Sequence, residues 1–136
     1  MPDPASIQPV AASKAMLWTG YVVSALPVLG LIASAAMKFA KPGFVVEGMA
    51  KHGYPEEIIV GLGVVELACT LLYIIPQTCV LGAILLTGYL GGETATHVRV
   101  GEFSQAIFGP VMFGVLVWLG LLLRDPRLRA LLPLRR

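Results

Sequence analysis

Four long apolar segments, 17–40, 58–75, 79 to about 96 and 106–123, occupy most of the chain's 136 residues. Each is close to the roughly 20 residues that an α-helix needs to cross the hydrocarbon core of a bilayer. Their apolarity is continuous rather than alternating, which argues against the period-two strands of a membrane barrel. Charged residues make up 13% of the chain, about half of the roughly 25% usual in soluble domains, and the mean hydropathy is +0.81. The expected fold is all-α: a single integral-membrane four-helix bundle with up-down topology and no second domain.

The breaks between segments set the course of the chain. Only Ile75-Pro76-Gln77-Thr78 separates the second segment from the third, and a proline cannot continue a helix there, so these two form an antiparallel hairpin. The link around Arg99–Gln105 is also short. Lys41–Glu57 is longer, and its Phe44, Val45 and Met49 can form one apolar side of a short helix lying in the interface; an irregular polar loop is the other reading. Residues 1–15 lack the basic start and short apolar core of a secretory signal and read as a flexible tail. Residues 16–124 form the transmembrane domain, and 125–136 a basic tail.

Of the ten basic residues, Lys14, Arg124, Arg127, Arg129, Arg135 and Arg136 share the side of the termini. Lys38, Lys41, Lys51 and Arg99 share the other. The positive-inside bias therefore puts both termini in the cytoplasm.

Functional candidates are the polar residues that interrupt the apolar segments. Glu66 lies near the middle of the second segment, where a carboxylate costs about 2.5–3.5 kcal/mol to insert, so it must be protonated, paired or wet. In the third segment Tyr89, Glu93 and His97 recur at every fourth residue with Thr96 beside them, a polar stripe that belongs on the inner face of a bundle. Lys38, at the outer end of the first segment, reaches the level of Glu93 and is its expected counter-charge. Arg99 ends the third segment as a ligand-binding or snorkelling residue. A cavity open toward the outer half of the bundle, lined by Lys38, Glu66, Tyr89, Glu93 and His97, is expected. Gly88 and Gly92, four apart, read as a place where another helix approaches closely.

Other chemistry is sparse. Cys69 and Cys79 do not form the paired motif of a thiol oxidoreductase, and no metal-ligand spacing, phosphate-binding loop, dinucleotide fingerprint or nucleophile elbow occurs. His52 and His97 leave a haem open.

The stretches LWTGYVVSALPVLGLIASAAMKFAKP, GYPEEIIVGLGVVELACTLLYIIPQTCVLGAILLTGYLGGETATHVRVGE and WLGLLLRDPRLRALLPLR carry a resemblance that spans nearly the whole chain. They resemble the DoxX-like family of small bacterial four-helix membrane proteins, with Lys38, Pro42, Gly53-Tyr54-Pro55, Glu66, the Gly91-Gly92 pair, His97 and Arg99 at the matching positions. Glu93 departs from the pattern, which has a small residue after the glycine pair. The resemblance implies a protein of the bacterial inner membrane that holds a quinone-like or lipid molecule, as part of a membrane redox system. The residues themselves also support a small membrane enzyme doing acid–base chemistry, an isomerisation, cyclisation or epoxide opening, with Glu66, Glu93 and His97 catalytic and Lys38, Tyr89, Thr96 and Arg99 binding the substrate. A structural or assembly role is the third reading. The expected partners are membrane lipids, the lipophilic ligand, a redox protein and further copies of the chain; nucleic acid is not among them.

Overall fold

The computed structural model describes residues 11–131, and every regular element among them is helical. Helix α1 spans Lys14–Ala40. Its first turn is capped by Ser13, whose hydroxyl accepts from the Met16 amide at 3.2 Å, and it stops where Lys41 turns left-handed at φ 49°. Pro42 follows and cannot rejoin the helix. The short helix α2, Gly43–Lys51, occupies the connection as the amphipathic reading expects, although none of its side chains is fully buried. A single 3-10 turn, Glu56–Ile58, leads into α3, Ile59–Ile74. Pro76 opens the hairpin turn, and Thr78 locks it by donating its hydroxyl to Leu72 O at 2.8 Å before α4, Cys79–Arg99, begins.

The last apolar segment is less regular than its composition suggests. It starts as α5, Phe103–Ala106, widens into a π-helical stretch at Ile107–Val111, and resumes as α6, Met112–Arg124. Pro110 lies in the wide stretch and has no amide hydrogen to give the preceding turn, which accounts for the interruption. Pro126–Leu131 forms a further short helix, α7, with Leu128 buried. The outermost parts of the two expected tails, 1–10 and 132–136, lie outside the described residues and include Arg135 and Arg136.

Helix α1 packs against α3 and α6, α3 against α4, and α4 against the π stretch and α6. Residue pairing gives the directions. Ser24 meets Tyr73 while Lys38 meets Glu66, so α1 and α3 run antiparallel. Thr87 meets Trp118 while Leu90 meets the Gly114 side, so α4 and α6 do too. Close approach depends on Gly20, Gly120 and Gly82. A Cβ at Gly20 would meet Gly120 O at 3.0 Å, one at Gly120 would overlap Ser24 Oγ, and one at Gly82 would overlap the Tyr73 backbone. At Gly88 and Gly92, by contrast, no atom lies within 4 Å of an added Cβ. Their spacing does not mark a helix seam; it leaves the α4 surface bare.

Tyr73 is fully buried at the centre of the interface. Its hydroxyl donates to Val117 O at 2.7 Å and lies 3.0 Å from Ser24 Oγ, tying α3 to α6 and α1. The outward surface is apolar, with Trp18 at 72% exposure, Leu29, Val64, Ile84, Phe108 and Val115 all uncovered. An apolar surface this extensive calls for lipid rather than water. Among the described residues three helical stretches, Lys14–Ala40, Glu56–Ile74 and Phe103–Arg124, are long and apolar enough to span a membrane. This is a small all-helical membrane protein.

Candidate functional site

Helices α1, α3 and α4, with α2 across them, border a half-open cavity of about 580 Å³. Apolar groups make up most of its wall, among them Met37, Phe44, Val45, Met49 and Leu62. The polar groups come chiefly from the expected stripe: Tyr89, Glu93, Thr96 and His97 of α4 all line it, as does Lys38 of α1. Gly88 and Gly92 complete the α4 wall, and their missing side chains make part of the space.

Glu66 is placed one layer behind this wall. It is 1% exposed and pairs with Lys38, Nζ to Oε2 2.8 Å, while the same ammonium donates to Ser34 Oγ at 2.7 Å. The expected pairing of Lys38 with Glu93 is therefore corrected. A helical side chain leans toward the N-terminus of its own helix. In antiparallel α1 and α3 that tilt carries Lys38 inward and Glu66 outward until they meet. The lysine spends two of its three N–H groups on these partners and keeps the third for the cavity it lines. None of the ion pairs among the described residues includes Glu93.

The end of the cavity beside the C-termini of α2 and α4 is bordered by a polar knot that sequence spacing did not reveal. Thr96 gives its own proton to Gly92 O at 2.9 Å and receives one from the Tyr54 hydroxyl at 2.8 Å. Arg99 binds the carbonyl of His52 instead of facing the cavity. Glu102 accepts from Lys51 Nζ at 2.5 Å on Oε1, and its Oε2 lies 2.8 Å from both His52 Nε2 and His97 Nδ1. The bond from Lys51, followed by those from His52 and His97, holds the Glu102 carboxyl down to about 2. The His52 and His97 rings meet edge to face at 4.8 Å. These contacts fasten the C-terminal end of α2 to the end of α4, and Gly53 and Gly101, at φ 87° and 82°, make the turns that permit it.

His52 and Glu102 went unread because polar residues in loops are ordinary, whereas the same residues inside an apolar segment stand out. Tyr54 had a signal in the Gly53-Tyr54-Pro55 stretch, and Ser34 in its position one turn before Lys38.

Comparison with curated proteins and with solved structures finds no match. A family model does match, and it takes in all of α1 to α4, the cavity wall, the Lys38–Glu66 pair and the knot above them. Since that match runs over residues 7–120, the chain belongs to the DoxX-like family.

Proposed function

We propose that this protein is a four-helix, up-down membrane bundle that binds a lipophilic small molecule, quinone-like or lipid, in the cavity between α1, α2, α3 and α4. In this reading α4 crosses the bilayer with the other three. Its polar residues Tyr89, Glu93, Thr96 and His97, which lower its hydropathy, line the cavity. The observation that carries the proposal is the cavity itself. Its volume lies within the roughly 300–1,000 Å³ of small-molecule sites, and an apolar wall with a few convergent polar groups is the usual composition of such a site. A quinone-like ring offers carbonyl acceptors, and the unspent N–H of Lys38 and the Tyr89 hydroxyl are donors suited to them. The expected setting is the bacterial inner membrane with both termini cytoplasmic.

A second reading rests on Glu93. A carboxyl that lines the cavity and has no ion-pair partner among the described residues is free to exchange a proton with a bound substrate, which favours an acid–base enzyme over a binding subunit. His97 is less available for that role, since its Nδ1 is engaged by Glu102.

The test is mass spectrometry of lipophiles that co-purify with the unmodified chain and with Gly92→Leu. The leucine side chain has open space to enter and should fill part of the cavity without moving a helix. Loss of at least tenfold of a bound species is expected, with retention in Gly91→Leu, which points to a different groove. Equal retention in Gly92→Leu would overturn the proposal. Once a ligand is known, Glu93→Gln separates the two readings. An enzyme loses about 10²–10⁴ in turnover, and a binding subunit keeps its affinity.

A further inference from the structure

We propose that His52, His97 and Glu102 form a binding site for a divalent transition-metal cation of the zinc class at the outer end of the bundle. The three residues come from the end of α2, the end of α4 and the loop after it. One ligand atom from each falls within 4.8 Å of the others. The set is two imidazoles and a carboxylate, the donors of many three-ligand zinc sites.

The hydrogen-bond pattern around His52 points to a cation. Its Nδ1 lies 2.7 Å from Gly48 O, and a carbonyl can only accept, so Nδ1 carries the proton. Nε2 lies 2.8 Å from Glu102 Oε2, and on an imidazole whose one proton is already spent at Nδ1 it would meet that oxygen with a lone pair against lone pairs. Two acceptors at that distance need a positive centre between or beside them, either a second proton on His52 or a metal. His97 Nδ1 converges on the same oxygen at 2.8 Å. The bond from His52 Nδ1 to a backbone carbonyl is also the orienting contact that metal-bound histidines characteristically make.

The site needs shifts of about 0.5–1.5 Å between ligand atoms, within reach of side-chain rotation, to accept an ion. With bonds of about 2.0–2.1 Å, ligand atoms around tetrahedral zinc stand roughly 3.3 Å apart. The two N···O separations of 2.8 Å would open by about half an ångström, and the widest pair would close. Backbone geometry holds the three residues in range. Arg99 clamps His52 O, and the turns at Gly53 and Gly101 aim the loops. Three protein ligands would leave a fourth position open, and both histidines border the cavity. Lys51 holds Glu102 Oε1 and opposes a cation by its charge, but it is 66% exposed and can swing away. The metal reading depends on this cluster alone and not on what occupies the cavity.

The experiment uses the full chain purified in detergent without a histidine tag and stripped with EDTA. It is titrated with ZnCl2 in a calorimeter and, separately, with Co2+ while the visible spectrum is followed. Saturable uptake of one Zn2+ per chain is expected, with the intense visible bands of low-coordinate Co2+. Affinity should fall at least tenfold in His52→Gln, His97→Gln and Glu102→Gln. Lys51→Ala removes an exposed competing charge and should raise affinity severalfold, so the test stays readable even where a ligand variant fails to fold. No saturable uptake up to about 1 mM zinc would overturn the proposal. So would uptake indifferent to all three ligand substitutions, or an affinity unchanged by Lys51→Ala.

Discussion

Lys38 and Glu66 show how one long side chain reorganises a membrane interior. A buried ion pair is weak ground for stability in itself, but removing one partner strands the other and costs about 3–5 kcal/mol. Lys38→Met should therefore lower the thermal stability of the purified protein by about that amount. Lys38→Met combined with Glu66→Leu should recover most of it, since no charge is left without a partner. Unfolding in a fixed detergent, followed by circular dichroism, measures both. A double variant as unstable as the single one would mean that the pair is not the unit. That Glu66 must be protonated, paired or wet was legible from its position in an apolar run. The partner's identity was not, because depth estimated from residue count ignores the tilt of side chains along antiparallel helices.

At the scale of elements, the apolar segments marked α1, α3 and α4 to within about three residues at each end, since a hydrophobic run bounded by proline and glycine fixes a helix closely. Pro110 set the π stretch, which composition alone passed over. Glycines were harder to read, because spacing says which residues share a face and not what lies opposite. Gly82→Ala places its Cβ against the Tyr73 backbone, which cannot rotate aside, so the α3–α4 hairpin must spread at a cost of about 1–3 kcal/mol. Gly88→Ala enters open space and should gain about 0.5–1 kcal/mol from helix propensity. Opposite signs in the melting temperatures of these two variants are the expected result. A loss of similar size in both would mean that Gly88 does pack against another helix.

For the whole molecule, membrane residence follows from the surface, and orientation is the property left to test. Both termini are expected in the cytoplasm, which leaves the cavity and the knot on the outer side. Ser104 is exposed just beyond α4. A Ser104→Cys variant should react with a membrane-impermeant maleimide on intact cells, with Cys69 and Cys79 silent because both are buried. Labelling only after lysis would reverse the orientation and place the knot in the cytoplasm. The all-helical architecture and the α3–α4 hairpin were readable because hydropathy and short connections leave few arrangements. The site was half readable: stripe residues are anomalies inside apolar helices, whereas the knot depends on where two loops fold.

Helix α2 has no fully buried side chain and is fastened chiefly at its C-terminal end, with Phe44 near its start 66% exposed. Under the proposed function, a cover attached in this way would open like a flap toward the leaflet, and a hydrophobic ligand would arrive by lateral diffusion in two dimensions. Its occupancy would then follow moles of ligand per mole of lipid, and diluting the surrounding buffer would leave it nearly unchanged.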